Sequence, residues 1–418
     1  MPGLQPSSSA RPSALRFAAA LSKRSDTEAA ACDLADDIRS KLESAPIDLA
    51  CLFFSAHHVR RAAQLASAIH RLLSPRLLIG CSGEGVIAGT EELESIPGIS
   101  LWAASLPGVT PAPVRLSFSP TQDQFRLQEW PGPDGSPSAL LLLADPLTLP
   151  MQEALKFLAQ RYPEAMAIGG LAGGGNESGE NRLVLQGEAL TGGLVGVRFS
   201  GPLAVRPVVS QGCRLVGERF VITKAEHNRI HELGGVPALE RLRDLLEAMS
   251  EEEREQAKSA LHIGIAVDEY RDRFERGDFL IRHLIGVDQE TGSLVIGDLV
   301  REGQTVQFQL RDARSAGEDL KELLDADRFG HRQAPLGALL FSCCGRGRGL
   351  FGKPHHDART VADRLGGIPV AGFFAQGEIG PVGRHNVLHS YTASMAIFAE
   401  PERRTAIGGR LDEEQRMS

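Results

Sequence analysis

Leu77-Leu78-Ile79-Gly80-Cys81-Ser82-Gly83-Glu84-Gly85 passes from a short apolar run straight into a glycine-rich turn that carries a carboxylate. Working outward, Val59 to Leu73 has helical periodicity, and Leu49 to Ser55 (LACLFFS) is an apolar run of buried-strand length. Downstream, Ile99 to Leu106 (ISLWAASL) reads as a third strand. The unit is strand, helix, strand, turn, strand. The C-terminal region repeats it: Gly337 to Ser342, a helix after Pro354, the strand Ile368 to Ala371, the turn Gly372-Phe373-Phe374-Ala375-Gln376-Gly377-Glu378, and a strand within His389 to Phe398. A looser copy runs from Ala139 to Leu143 through Asp145-Pro146, a helix over Pro150 to Arg161, the strand Ala165 to Ile168, glycine-rich Gly169 to Asn176, and the strand Gly193 to Phe199. It keeps the glycines but lacks the Gly-Glu pair.

Between the copies lie a charged helical stretch, Pro237 to Lys258, and a buried-type strand, Leu261 to Val267. Alternating runs follow at Asp278 to Val287, Ser293 to Leu299 and Thr305 to Leu310, the first two joined by the turn-rich Asp288 to Gly292. The fold class expected is α/β, in the mixed α+β sense: two related halves from an ancient duplication, each a mixed β-sheet assembly flanked by helices. The domains expected are 14–222 and 223–401, with a Pro/Ser-rich tail over 1–13 and a charged tail over 402–418.

At 418 residues the chain exceeds the size at which one hydrophobic core stops growing. A net charge of -8 with only 5% aromatic residues excludes the basic face and stacking rings that nucleic-acid binding needs, and it does not suit an anionic membrane surface. The longest apolar runs are strand-length, far short of the roughly 20 residues that span a bilayer. Arg11 to Leu21 lacks the apolar core of a signal peptide. Six cysteines without scaffold density or paired metal spacing fit a reducing cytoplasm.

Strand-end Gly-Glu turns have a chemistry of their own. Glycine lets backbone N–H groups approach a ligand, Glu84 and Glu378 can accept from an ammonium group, and Arg346 or Arg348 can receive a carboxylate. The competing reading is structural: the glycines close tight turns and each glutamate caps a neighbouring N–H. Gly169 to Gly175 lacks the Gly-Lys-Ser/Thr ending of a phosphate-binding loop. His57-His58, His355-His356-Asp357 and the pair His385 and His389 show no His-Glu-x-x-His pattern, so polar turn or pocket roles are expected in place of metal ligation. Cys343-Cys344, followed by Gly345-Arg346-Gly347-Arg348, is the one arrangement that suggests an activated thiol. The run Glu251 to Glu255 reads as a solvated helix face.

From about Arg16 to Phe398 the order of these motifs resembles the FIST family, in which a FIST N domain precedes a FIST C domain. The residues that carry the resemblance are Asp48-Leu49-Ala50 with Phe53-Phe54-Ser55-Ala56-His57-His58, and Ile79 to Ile87. In the C-terminal region they are Ala371 to Pro381, His385-Asn386 and His389-Ser390-Tyr391-Thr392. The resemblance implies a cytoplasmic, non-enzymatic sensor of signal transduction, here a stand-alone member, that binds a small ligand with amino acids as the expected class. It implies no catalytic set, cofactor or metal, and a protein partner acting in trans. Mapped onto the turns, the expected ligand-binding residues are Gly80, Cys81, Ser82, Gly83 and Glu84, then Arg346, Gly372, Gln376, Gly377, Glu378, His385 and Asn386. Two alternatives stay open: a protein-recruiting scaffold, as kinship with F-box proteins implies, and a thiol enzyme using Cys343 or Cys344.

Overall fold

The computed structural model describes residues 14–132, 136–271, 273–274 and 276–402; the expected tails, apart from Glu402, fall outside them. The described residues form four sheets, three mixed and one antiparallel, flanked by eight helices, so the α/β reading holds.

Each repeat begins with a parallel pair buried on both faces, which explains its continuous apolar sequence. In the first unit Leu49–Ser55 lies beside Leu77–Gly83, with Leu52 opposite Gly80. The crossover helix Ala62–Leu73 buries Leu65, Ala66, Ile69 and Leu73. In the second unit Ala139–Ala144 pairs with Met166–Leu171, with Leu142 opposite Gly169. In the third, Pro335–Cys343 pairs with Val370–Ala375, with Leu340 opposite Gly372. At all three glycines an added methyl would drive into the carbonyl oxygen of the facing leucine, so these positions demand glycine for close backbone approach. The looser copy seen in the sequence is thus a full third member of the repeat.

Two antiparallel strands extend each sheet on one side: Ile99–Ser105 and Arg16–Ser22 in the first, Leu194–Phe199 and Ala112–Ser119 in the second, where Gln124–Glu129 adds a further edge strand, and Ala393–Ala399 and Ala204–Ser210 in the third. On the other side each sheet is extended by a hairpin from a different unit. The first unit's hairpin, Gly85–Ala88 with Glu91–Glu94, joins the third sheet; the third's, Glu378–Val382 with His385–His389, joins the second; the second's, Leu183–Leu185 with Glu188–Leu190, joins the first. The exchange closes a cycle, so no unit completes its sheet alone. Inner faces of all three sheets share one core in which Phe53, Phe341 and Phe373 meet with ring centroids 5.1–6.3 Å apart.

The fourth sheet is inserted between Ala204–Ser210 and the helix Ala313–Gly330 of the third unit. It curls closed, because Cys213–Glu226 pairs first with Thr305–Arg311 and then with Arg229–Leu233. Ile263, Ile265, Phe308 and Leu310 fill this barrel together with Leu239 and Leu242 of the helix Ala238–Ala248. The charged stretch breaks at Ser250, whose capping box starts a second helix, Glu251–Ala260, with only Ala257 buried. Along Leu261–Ala266 and Thr305–Arg311 the alternate residues His262, Gln307, Gln309 and Arg311 face away from that filling.

Candidate functional site

The three units meet where their second parallel strands end. The turns expected there are shorter than the sequence suggested: Gly80 to Gly83 and Gly372 to Ala375 remain in their strands, and the chain leaves the first at Glu84 and the third at Gln376-Gly377. Three backbone bonds lock the junction in a ring. Glu84 N–H donates to Phe374 O at 3.1 Å, Gln376 N–H to Leu171 O at 3.1 Å, and Gly173 N–H to Ser82 O at 3.1 Å. Equivalence therefore runs Glu84, Gly173, Gln376, and the two Gly-Glu pairs of the sequence are offset by two residues. Side chains follow the backbone: Glu84 Oε1 accepts from Gly174 N–H and from Gln376 Nε2, both at 3.2 Å.

Glu378 lies two residues beyond Gln376 and is fully buried. Its Oε2 accepts from Thr392 N–H at 3.0 Å and Thr392 Oγ1 at 2.6 Å, while Oε1 has no partner. Burial, reinforced by the neighbouring Cys343, holds this carboxyl well above its ordinary pKa, which favours its neutral form. Cys343 and Cys344 end the adjacent strand. Interaction between the two neighbouring thiols lowers the pKa of Cys344 and, with burial, raises that of Cys343. The charges of Glu378 and Glu84 act the other way on Cys344, raising its pKa. Its N–H donates to Ala375 O at 2.8 Å, tying the pair to the junction.

The barrel covers the third unit here. Tyr391, held at φ +65°, stacks on His262 at 4.3 Å, bonds His283 Nδ1 at 3.2 Å through its hydroxyl, and carries the Arg311 guanidinium 4.7 Å above its ring. Arg311 donates to Gly345 O, yet its Nε is unpartnered and no carboxylate pairs with it among the described residues. Both ring nitrogens of His262 and both amide atoms of Gln309 are likewise buried without partners. Burial, then Arg311 and His283, pushes His262 down to about 3, so it is neutral. Such a concentration of unanswered polar atoms in one buried wall is unusual in a folded chain.

Other expected site residues are already engaged. Arg346 forms a bidentate pair with Asp357 at 2.7 and 2.9 Å, fully buried, with only Nη1 unpartnered. Asn386 pins its hairpin to the second sheet, accepting from Ala167 N–H and donating to Ala165 O, each at 2.8 Å. His385 is exposed on that hairpin. Gly80, Cys81, Ser82, Gly83, Gly372 and Gly377 are buried, and Ser82 Oγ accepts from Arg182 N–H. The histidines go separate ways: His58 bonds Thr27 Oγ1, His356 stacks on Phe351 and bonds Asp357, and His389 faces Gly380 O. No group of three metal-ligating side chains gathers among the described residues. Arg311, His262, Gln309 and Thr392 were missed as site residues. The polar-apolar alternation of Thr305 to Leu310 took in Gln309 alone, while His262 stood in an apolar run and Thr392 in the stretch that carries the family resemblance.

The family models match over most of this architecture, a FIST N domain at residues 48–236 and a FIST C domain at 238–381. The chain belongs to the FIST family. FIST domains are sensor domains of signal transduction. An uncharacterized protein of Mycobacterium tuberculosis is 42% identical over 387 residues, covering 92% of this chain and all of the relative. One from Mycobacterium bovis is 41% identical over 377 residues, 90% of this chain and 96% of the relative. Among solved structures, a cyanuric acid hydrolase chain is similar at 11% identity and a TM-score of 0.29, over 92% of this FIST chain and 99% of that one; a likeness at this level says nothing of chemistry. No helix among the described residues is long and apolar enough to cross a membrane.

Proposed function

We propose that this FIST protein is a cytoplasmic, non-enzymatic sensor whose small ligand, an amino acid, binds at the strand ends of the third unit beneath the barrel. The observation that carries the reading is the barrel wall, where Arg311, bonded to Gly345 O next to Cys344, lacks a counter-ion among the described residues and His262 and Gln309 lack partners. Arg311 receives the ligand carboxylate, with Gln309 and neutral His262 supplying further hydrogen bonds. Glu84 accepts from the ammonium group, giving up its bond to Gln376, and Glu378 lends its free oxygen below. Because the ligand bridges barrel and third unit, binding tightens their contact, and a protein partner reads that change in trans.

Thermal shift against amino acids and short carboxylates tests this. A ligand at a hundred times its Kd stabilises the folded chain by about 2.7 kcal/mol, a clear rise in melting temperature. Arg311→Gln should abolish that rise. A response that survives Arg311→Gln, or no response from any member of the panel, overturns the reading.

A further inference from the structure

Vicinal cysteines with opposite environments occur at this site and nowhere else in the chain. Cys344 is exposed, whereas Cys343 is buried at the end of its strand. Cys343 is the covalent neighbour of Cys344 on one side, and its N–H donates at 2.9 Å to the carbonyl of Thr392, whose own N–H and hydroxyl are both held by Glu378. Glu378 is the only one of its three equivalents with a proton to give: the matching hairpin positions are Val86, opposite Phe373, and Leu183, opposite Cys81, as Glu378 is opposite Gly170. Its Oε1 is fully buried and unpartnered. An accessible sulfur, a buried thiol on the next residue and a buried carboxyl reached through Thr392 are the parts of a two-thiol oxidation site.

We propose that Cys343 and Cys344 form a peroxide-reactive thiol pair, with Cys344 attacking, Cys343 resolving and Glu378 supplying the proton. The Cys344 thiolate attacks one oxygen of a hydroperoxide; the S–O bond forms as the O–O bond breaks, and the departing hydroxide takes the Glu378 proton to become water. Cys343 then attacks the sulfenic sulfur. The S–S bond forms, the S–O bond breaks, and the Cys343 proton leaves with the hydroxyl as a second water. The peroxide is reduced, the two thiols are oxidised to a vicinal disulfide, and Glu378 is left as a carboxylate until solvent reprotonates it. Closing an eight-membered ring across residues 343 and 344 reorients the peptide whose N–H is bonded to Ala375 O, so oxidation acts directly on the three-unit junction. This chemistry stands whichever small ligand the site takes.

Cys32, exposed on the helix Thr27–Lys41, is an internal control in the full-length chain. At neutral pH iodoacetamide should modify Cys344 roughly tenfold faster than Cys32, followed by peptide mass spectrometry, because the thiolate is the nucleophile. Stoichiometric hydrogen peroxide should consume Cys343 and Cys344 together and leave Cys32 free, with dithiothreitol restoring both thiols. In Cys343→Ser a dimedone-trappable sulfenic acid should accumulate at Cys344, and Glu378→Gln should slow oxidation about tenfold with an unchanged circular dichroism spectrum. Equal labelling of Cys344 and Cys32 in the wild type, or peroxide treatment that leaves Cys344 reduced, overturns the proposal. A Cys344→Ser chain that still shows the amino-acid thermal shift separates that failure from a failure of the sensor reading.

Discussion

One backbone N–H, solved three ways, separates the three units. The residue opening each antiparallel strand, Gly98, Gly193 or Thr392, accepts through its carbonyl from the residue at the end of the neighbouring parallel strand: Ser55, Asp145 or Cys343. Its own N–H needs an acceptor. Ser55 Oγ provides it in the first unit at 3.1 Å, Thr148 Oγ1 in the second at 2.9 Å, and Glu378 Oε2 in the third at 3.0 Å. The same backbone need is met by two neutral hydroxyls and one buried carboxyl. A hydroxyl would have sufficed, so the carboxyl beside Cys343 points beyond structure. Other polar groups in the third sheet follow suit: Ser342 stands where Phe54 and Ala144 stand, and Glu92 of the visiting hairpin where Ala189 and Leu388 stand.

If the units are true equivalents, their leucine-facing glycines must fail alike. Gly80→Ala, Gly169→Ala and Gly372→Ala each force a methyl into backbone that cannot retreat without parting two paired strands. Each should cost more than about 4 kcal/mol in urea unfolding, the range reserved for severe core disruption. A tolerant member of the trio would break the equivalence of its unit.

Much of this was legible in the sequence and part was not, for physical reasons. Buried parallel strands advertise themselves through unbroken apolar runs such as LACLFFS, and the glycines that admit a neighbouring backbone recur at fixed places within them. Hairpin exchange leaves no such mark: Glu91–Glu94 reads as a polar loop, though Glu92 and Leu93 are buried, because the sheet that buries them is built from strands far later in the chain. The Gly-Glu pairs at 83–84 and 377–378 look equivalent in sequence, yet backbone pairing sets Glu84 against Gln376. The barrel wall was illegible for a simpler reason. A strand reading Gln-Phe-Gln-Leu-Arg fits any solvated sheet, and only the third unit packed against it turns the polar face inward.

Glu92 gives the contrast a pH dependence. Its Oε1 accepts from Ala358 N–H at 2.8 Å, capping the helix His356–Leu365, and Oε2 is unpartnered. Burial first, then Asp357, raises its pKa to about 7. Between about 4.5 and 7 the folded chain therefore holds a proton that the unfolded chain has released, so stability falls as pH rises through that window, by up to about 3 kcal/mol. Glu92→Gln should flatten this slope. Urea midpoints at pH 5 and pH 8 measure it; an equally steep decline in the variant would detach the visiting hairpin from the effect.

The smallest effect is the most pointed, because it asks the third unit to adopt the first unit's solution. Glu378→Val installs the residue found at 86 but strands the Thr392 N–H, since Cys343 sulfur is a weak acceptor; an orphaned buried donor costs about 1–3 kcal/mol. Adding Cys343→Ser places a hydroxyl where Ser55 stands in the first unit, within reach of the same N–H. The double variant should recover most of the loss, about 1 kcal/mol or more, although Cys343→Ser alone does little because Glu378 already serves Thr392. That non-additivity is what a shared partner predicts. Additive losses would mean that the strand-end positions are alike only in backbone trace, and the carboxyl at 378 would lose its standing as a replacement made for chemistry.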